Sequence, residues 1–256
     1  MSMLSSKRVF RPTLWPTVFT IPAVLIMIGL SIWQVERLQW KEGLIADRQA
    51  RIAAAPIDLP APGSNPVDVE YRRVHLTGHF LHDHEMYLAA RSLNSNIGYH
   101  VITPLVLSSG ETVLVDRGWT PDTKKLPDTR AAGQLPGELS MDGVVRLSQR
   151  QAFMQPDNEP QKNIWFFLDL PAMVTKAGLP ARSDIYVEAA ASDIPGTYPL
   201  GGQTRINLPN DHLQYAITWA LLAAILIVIY VIYHLRPEPE AGSTPGSTQG
   251  GQEPRS

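Results

Sequence analysis

The chain contains no cysteine, and this absence excludes several functions at once. Without thiols the chain cannot form disulfides, attach a c-type haem through thioether bonds or carry out thiol exchange. Delivery of copper through thiolate ligands is excluded for the same reason. The absence does not identify a compartment, because an oxidising compartment permits disulfides without requiring them.

The sequence also lacks a basic stripe. The segment Gln34–Asp211 contains 17 lysine and arginine residues against 21 aspartate and glutamate residues. Binding to nucleic acid needs a concentrated cationic face, so nucleic acid is not expected as a partner. No nucleophile elbow, phosphate-cradling loop or His-Glu-x-x-His motif is present, so a membrane-tethered hydrolase finds little support and a non-enzymatic function is favoured.

Charge is absent from two long stretches, Pro12–Val35 and His212–Leu235, which are 24 residues each. A helix of roughly 20 residues crosses a hydrocarbon core of about 30 Å, at about 1.5 Å of rise per residue. Both stretches are therefore long enough to span a bilayer, and we expect contact with membrane lipid. The second stretch begins with a histidine.

The charges that flank the two stretches predict an orientation. Lys7, Arg8 and Arg11 precede the first stretch and favour a cytoplasmic N-terminus. The first stretch is longer than the apolar part of a signal peptide and lacks a clear cleavage site, which predicts an uncleaved anchor. Two spans then return the C-terminus to the cytoplasm and place the segment between them outside. The short basic start favours a bacterial inner membrane, with the mitochondrial inner membrane as the alternative.

The pattern predicts an α+β membrane protein. Two transmembrane helices flank an extracytoplasmic domain that forms an antiparallel β-barrel-like structure or a curved sheet. Apolar residues at helical spacing beyond the membrane predict that the first helix continues as a stalk. The predicted segments are a basic cytoplasmic N-terminus (1–13), a transmembrane helix (14–33), a helical stalk (34–55), a β-rich domain (56–211), a second transmembrane helix (212–234) and a disordered cytoplasmic tail (235–256).

Turn residues divide the β-rich domain into short strand candidates. We expect Tyr71–Phe80 to pair with Glu85–Ala90 across a polar turn. A hairpin is expected between Gly98–Leu107 and Thr112–Trp119, around Ser108–Gly110. The remaining predictions are strands at Glu138–Leu147, Asn163–Asp169 and Ile185–Ala189, a short helix at Pro171–Gly178 and a polar loop at Pro121–Pro136.

One face of the second apolar helix carries a candidate ligand site. His212, Tyr215 and Trp219 occupy positions i, i+3 and i+7, so they share a helix face. Small alanine side chains lie alongside, and Trp33 stands near the outer end of the first helix. A flat apolar ligand can lie between the two helices at the membrane boundary.

The residue types of this site suit haem. A neutral imidazole such as that of His212 ligates haem iron. Arg37 and Arg205, just outside the membrane, suit the propionates because guanidinium groups bind carboxylates through forked hydrogen bonds. The alternative is that His212 is an interfacial residue that caps a helix or contacts lipid head groups.

A second candidate lies at the end of a predicted strand, in Val115-Asp116-Arg117-Gly118-Trp119. On one interpretation Arg117 is a fixed donor to a carboxylate of a substrate or partner. On the other, Asp116 and Arg117 form a surface pair while Gly118 shapes a turn.

Nine sequence blocks, in order from the first apolar stretch to the second, together resemble one known family. They are Trp33-Gln34-x-x-Arg37-x-x-x-Lys41, Glu70-Tyr71-Arg72, Gly78-x-Phe80, Glu85-x-Tyr87, Gly98-Tyr99-x-Val101-x-Thr103-Pro104, Val115-Asp116-Arg117-Gly118-Trp119, Trp165-x-x-x-Asp169, Gly201-Gly202-Gln203-Thr204-Arg205 and Asn210-Asp211-His212-Leu213-Gln214-Tyr215-Ala216-x-Thr218-Trp219. The chain resembles the Surfeit-locus-one (Shy1-like) family of membrane assembly factors for cytochrome c oxidase.

The resemblance implies a two-helix topology and a role in maturing the largest subunit of a haem-copper oxidase. It implies transient binding of haem a, with the histidine that opens the second helix, here His212, as the proposed iron ligand. Implied partners are cytochrome c oxidase subunit I and the haem a synthase. A haem-free scaffold that holds assembly intermediates through the outer domain is the alternative. Structural or partner-contact roles are implied for Gln34, Gly78, Tyr87, Arg117, Gly118, Trp165 and Asp169.

Overall fold

The computed structural model describes residues 8–194, 196–206 and 208–237. Residues 1–7 of the predicted cytoplasmic start and residues 238–256 of the predicted disordered tail lie outside the described residues. The chain divides into two compact units, one made of its two ends, up to Lys41 and from Pro209, and one made of Glu42–Leu208.

The described residues form four α-helices and nine β-strands. The helices are α1 (Leu14–Ala53), α2 (Pro66–Val69), α3 (Leu170–Ala177) and α4 (His212–His234). The strands are β1 (Arg8–Phe10), β2 (Arg73–Phe80), β3 (Met86–Leu93), β4 (Asn96–Leu107), β5 (Thr112–Pro121), β6 (Leu139–Leu147), β7 (Ile164–Trp165), β8 (Ala181–Ala189) and β9 (Leu235–Pro237). Short 3-10 turns occupy His82–His84, Asp122–Lys124, Pro127–Gly133 and Pro160–Lys162.

The first unit is a hairpin of two helices that are long and apolar enough to cross a membrane. Hydroxyl groups connect them, because the Ser31 Oγ donates to the Ala216 carbonyl oxygen at 2.9 Å and the Thr17 Oγ1 lies 2.7 Å from the Tyr230 hydroxyl. Large apolar side chains elsewhere along both helices are exposed. An apolar helix surface of this kind is stable in contact with lipid.

The two chain ends pair with each other at one end of this hairpin. Strands β1 and β9 are antiparallel, with Arg8 opposite Pro237 and Phe10 opposite Leu235. The Arg11 N–H donates to the His234 carbonyl oxygen at 2.9 Å, immediately beside the pair. Both ends of the described chain therefore lie side by side at the same end of the helix pair.

The second unit is built around a closed five-stranded β-barrel. The strand order is β2-β6-β8-β5-β4, and pairing of β2 with β4 closes it. Strands β3 and β7 extend the sheet beyond β4. The buried core includes Val74, Leu105, Val115, Val145 and Val187. The predicted fold class, two apolar helices flanking a β-barrel-like domain, is confirmed.

The predicted pairing of Tyr71–Phe80 with Glu85–Ala90 is wrong. Strands β2 and β3 both pair with β4, where Phe80 lies opposite Leu105 and Met86 lies opposite Ile102. The turn at His82–His84 therefore keeps the chain running in the same direction along β4 rather than reversing it. A hairpin between them is impossible because paired antiparallel neighbours need a reversal.

The predicted strand Asn163–Asp169 is shorter in the structure, where β7 covers only Ile164–Trp165. Beyond it the backbone bonds to side chains, since the Phe166 N–H donates to Asn158 Oδ1 at 2.7 Å. Asp169 then caps α3 by accepting from the Ala172 N–H at 3.2 Å. Side-chain acceptors here replace a neighbouring strand.

Candidate functional site

His212 begins α4 with its ring directed to α1. Its Nδ1 lies 2.7 Å from the Oε1 of Gln34. Because an amide oxygen only accepts, Nδ1 carries the proton and donates. A neutral imidazole in this tautomer keeps the lone pair on Nε2, for which no partner is found among the described residues. This is the arrangement in which a protein fixes a histidine for metal ligation.

The start of α4 is also held by the polypeptide on either side of His212. The Lys41 Nζ, about two turns beyond Gln34 on α1, donates to the Pro209 carbonyl oxygen. Below His212, Ala216 is buried where it accepts from Ser31. Contacts to α1 before and after His212 in the chain therefore position this residue relative to α1 within the unit.

The aromatic residues predicted to contact haem lie on the outer faces of the helix pair. Tyr215 is 55% exposed and Trp33 is 52% exposed, while Trp219 is half-buried. Because the two helices touch at Ser31 and Ala216, the open apolar surface lies beside the pair rather than in a gap between the helices.

The two arginines predicted to bind propionates have different surroundings. Arg37 lies on α1, with its Cζ 3.8 Å from the centre of the Trp40 ring. Arg205 belongs to the second unit, where it lines a cavity together with Arg91. Arg37 shares the His212 unit, whereas Arg205 forms part of a separate candidate site.

In the β domain Arg117 is committed to an internal partner. Its Nη1 donates to Glu85 Oε1 at 3.1 Å, and its Nη2 donates to the Gly133 carbonyl oxygen. Arg130 donates to both oxygens of the same carboxylate, and Gln134 adds a further bond at 3.2 Å. The carboxylate that Arg117 was expected to bind in a partner is thus supplied by Glu85 of the same chain.

Glu85 stays ionised at this buried position. Burial raises its pKa, but contacts with His82 and Arg130 and the charges of Arg130 and Arg117 outweigh burial and lower the pKa to about 2. Burial also lowers the pKa of Arg117, to about 10, so Arg117 remains protonated at neutral pH. The cluster is a fully charged ion-pair network inside the domain.

Two glycines from the resemblance stand where backbones approach closely. A Cβ on Gly78 would lie 2.2 Å from the Val106 carbonyl oxygen, where β2 meets β4. Gly118 has a φ of +113°, and a Cβ there would lie 1.9 Å from the Leu200 carbonyl oxygen. These positions require glycine for packing and for conformation.

Three other predicted residues are structural parts of the β domain. Tyr87 is buried, with its ring edge-on to Tyr99 at 6.4 Å between ring centres. Trp165 is completely buried, and its Nε1 donates to Asn163 Oδ1 at 3.2 Å. Asp169 caps α3 as described above. Their contacts account for them without a partner molecule.

Sequence reasoning did not identify Arg130 or Arg91. Arg130 lies in the predicted polar loop, where nothing in the pattern distinguishes it from a solvated residue. Arg91 follows a strand residue of unusual conformation, Ala90, whose φ is +55°. Glu85 was predicted only as the first residue of a strand and as part of a family block, and neither indicates a buried ion pair. The only sequence feature that pointed to Glu85 was a charged residue at the start of a predicted strand.

The structure defines a class of protein: a closed five-stranded barrel bracketed by two membrane-compatible helices, with an oriented histidine where the second helix begins. The SURF1 family model matches residues 21–224. The chain therefore belongs to the SURF1 family, as the sequence blocks indicated.

Curated relatives cover most of the chain. It is 38% identical over 219 residues to a SURF1-like protein of Monosiga brevicollis, with 81% of this chain and 83% of the relative covered. It is 36% identical over 234 residues to Surfeit locus protein 1 of Rattus norvegicus, covering 86% and 75% of the two chains. It is 37% identical over 228 residues to Surfeit locus protein 1 of Homo sapiens, covering 82% and 75%.

Proposed function

We propose that this protein is a non-enzymatic assembly factor for haem-copper (cytochrome c) oxidase. It binds haem a and helps to insert it into the largest catalytic subunit. Family membership supports the assembly role. The observation that carries the haem role is the hydrogen bond of 2.7 Å between His212 Nδ1 and Gln34 Oε1.

The residues around His212 fit haem by their chemistry. The lone pair of His212 Nε2 would be the group that binds the haem iron, because haem iron takes a neutral imidazole as a ligand. The exposed rings of Trp33 and Tyr215, with Trp219, give aromatic surface for the porphyrin. Arg37 supplies a guanidinium for a propionate. The propionate role predicted for Arg205, which belongs to the second unit, stays a prediction.

In this proposal the chain orients haem and shields it; the residues perform no reaction. Gln34 holds the His212 ring so that Nε2 faces away from α1. The Nε2 lone pair of His212 would then be available to the haem iron, and the neighbouring aromatic rings would shield the porphyrin from water. The haem a synthase is the proposed donor.

The proposed location is a bacterial inner membrane, with both termini cytoplasmic and the β domain outside. The β1–β9 pairing supports a common side for the two termini. The basic residues Arg8 and Arg11 support the cytoplasmic side under the positive-inside rule. The mitochondrial inner membrane is the alternative location.

The test is an absorption spectrum of the detergent-purified protein, coexpressed with the haem a synthesis enzymes, beside His212→Ala. The matched control is His84→Ala, which removes an exposed histidine of the β domain. We expect a haem a spectrum in the wild type and control that is lost in His212→Ala. Circular dichroism establishes that each protein is folded.

Two outcomes would contradict the proposal. Equal haem in all three proteins would remove His212 as the ligand. No haem in any folded sample would leave a scaffold that holds oxidase assembly intermediates through its outer domain. In that case copurification of subunit I without haem would identify the scaffold function.

A further inference from the structure

The β domain contains a polar cavity of about 260 Å³ that the haem proposal does not use. Its wall includes Arg91, His100, Asp116, Arg146, Glu188 and Arg205. Cavities for drug-sized ligands measure roughly 300–1,000 Å³, so this one suits a small molecule or a single polar group.

Irregular strand pairing directs residues into this cavity. The register of β3 against β4 shifts between Leu88 and Arg91, and the register of β4 against β5 shifts between His100 and Ile102. Ala90, within the first irregularity, has a φ of +55°, which is uncommon for a residue with a side chain. Bulges occur preferentially beside functional sites, where they redirect side chains.

The backbone at Arg91 is held in place. The buried Trp119 donates from its indole Nε1 to the Arg91 carbonyl oxygen at 3.3 Å. The conformation at Ala90 is thereby stabilised by a side chain of β5, which lies across β4 in the same sheet. Backbone strain of this kind persists where surrounding contacts determine it.

Two arginines in the wall, Arg91 and Arg205, have no carboxylate partner among the residues that the structure describes. No hydrogen bond or salt bridge is found for the guanidinium groups of Arg91 and Arg205 among the described residues. Burial lowers the pKa of Arg91, and the positive charge of Arg205 lowers it further, against the opposing charge of Asp116. Two neighbouring guanidinium groups, one half-buried and one exposed, form a site that attracts an oxyanion.

The other wall charges are paired, but two of their buried atoms, Arg146 Nε and Glu188 Oε2, have no hydrogen bond among the described residues; Arg146 Nε lies 3.5 Å from the carboxylate of Glu70. Asp116 Oδ2 lies 2.8 Å from His100 Nδ1, and Glu188 Oε1 accepts from Arg146 Nη1 at 3.0 Å and from the Tyr186 hydroxyl at 3.1 Å. Glu188 Oε2 is buried and accepts from no group among the described residues. A buried carboxylate oxygen without a donor is costly, so a ligand that donates a hydrogen bond is favoured here.

We propose that this cavity binds a phosphate group that retains one P–OH donor. Arg91 and Arg205 bind its unprotonated oxygens, and Glu188 Oε2 accepts the hydrogen bond from its hydroxyl. The group belongs either to free inorganic phosphate or to a phosphate monoester head group of a lipid. This site uses only β-domain residues and does not depend on the haem proposal.

The buried acceptor predicts selectivity between two tetrahedral anions. Phosphate at neutral pH carries a proton, whereas sulfate does not. A sulfate oxygen in place of the hydroxyl would face Glu188 Oε2 without a hydrogen between them, and like charges repel. We therefore expect sulfate to bind at least about tenfold more weakly than phosphate.

The experiment is isothermal titration of the full-length protein in detergent with inorganic phosphate and with sulfate, at pH 7. Arg91→Gln removes one cation and is expected to weaken phosphate binding by about 10- to 100-fold. Glu188→Gln replaces the unpartnered oxygen and is expected to reduce the preference for phosphate over sulfate. Arg150→Gln, which removes an exposed arginine of the same unit, is the matched control.

A second arm distinguishes the source of the phosphate group. Vesicles of phosphatidylcholine with or without phosphatidic acid are mixed with the wild-type protein and with Arg91→Gln. Binding of free phosphate alone identifies a soluble ligand, and phosphatidic-acid binding that Arg91→Gln weakens identifies the head group.

Three results would overturn the proposal. The first is no binding of either phosphate form by folded protein. The second is equal affinity for sulfate and phosphate. The third is equal weakening by Arg91→Gln and Arg150→Gln, because general loss of positive charge would then explain the effect. Thermal unfolding of each variant establishes that the variants are folded.

Discussion

The ring of His212 has a defined proton position because one neighbour only accepts. Gln34 Oε1 takes the Nδ1 proton at 2.7 Å and leaves Nε2 as the nitrogen that can ligate. The two residues are 178 positions apart in the chain. Spacing within the second helix identified His212 as a candidate, but only the helix pair shows what orients it.

Replacing Gln34 by alanine removes this orientation while leaving the ligand. We expect haem affinity to fall about 10- to 100-fold, the range typical for loss of an outer-shell partner. Haem titration followed by absorption measures the change. Gln39→Ala alters an exposed glutamine of the same helix and serves as the control. Unchanged affinity in Gln34→Ala would show that the bond does not matter for binding.

Glu85 is the carboxylate on which two buried arginines of the β domain, Arg117 and Arg130, depend. Replacement by glutamine keeps the size but leaves Arg117 and Arg130 without their shared counter-charge. Loss of one partner from a buried ion pair costs about 3–5 kcal/mol, and we expect Glu85→Gln to lower the free energy of unfolding by that amount. Urea unfolding measures it. Asp128→Asn, at an exposed position, should change it by less than about 0.5 kcal/mol.

The same carboxylate makes stability depend on pH in acid. Its pKa is about 2 in the folded protein against a reference of 4.5, so the unfolded chain binds more protons between these values. The stabilisation, about 3 kcal/mol, is complete above pH 4.5 and is lost as the pH falls through 2. Unfolding free energies measured across this range should fall less steeply in Glu85→Gln. An unchanged slope would contradict this assignment.

At the scale of the elements, β5 contains a position where the close approach of another backbone segment allows only glycine. Gly118 has a left-handed conformation and lies against the backbone of Leu200, whose carbonyl oxygen accepts from the Trp119 N–H at 2.9 Å. Strand propensity identified β5 but not this contact, because the contacting segment is far along the chain.

Gly118→Ala combines backbone strain with a steric clash. Gly110 also has a positive φ, +85°, but a Cβ there meets nothing within 4 Å. Gly110→Ala should therefore cost only the conformational term, about 1 kcal/mol, whereas Gly118→Ala should cost more than about 3 kcal/mol. Thermal or urea unfolding of the two variants separates the cost of backbone strain from the cost of the steric clash. Equal losses would show that the approach of Leu200 is unimportant.

The elements were more predictable than their pairing. Runs of strand-forming residues bounded by turn residues located β2, β4, β5 and β6 to within two residues, because both signals are local properties of the sequence. The partner of β2 was wrong because the direction of the chain through His82–His84 depends on tertiary contacts. The second helix of the hairpin could be predicted from the sequence because its length and its lack of charged residues are sufficient to recognise it.

At the scale of the whole molecule, the chain's orientation in the membrane can be mapped directly. The sequence has no cysteine, so a single substitution introduces a unique label. We expect Ser109→Cys, in the turn after β4, to react with a membrane-impermeant maleimide in intact spheroplasts. Ser6→Cys and Ser247→Cys should react only after lysis. Labelling of the termini in intact spheroplasts would contradict the proposed orientation.

The candidate sites differ in how far the sequence could reveal them. His212, Tyr215 and Trp219 share one helix, so their spacing alone brought them together. Arg91 and Arg205 meet through a register shift and a distant loop, and neither leaves a periodic signal. A propionate role for Arg205 was inferred from its position near the second helix, whereas the structure shows its neighbours to be those of the β-domain cavity.

The barrel closes through a seam of only three residue pairs, from Gly78–Leu107 to Phe80–Leu105. Strands β2 and β6 share six pairs, so the seam is the weaker boundary of β2. Rare fluctuations of the native state should therefore break the β2–β4 pairing first. The barrel then opens into a sheet in which β2 is still paired with β6. In amide hydrogen exchange, the amides that bond across this seam should lose protection before those of β5 and β8, at a free energy below that of global unfolding.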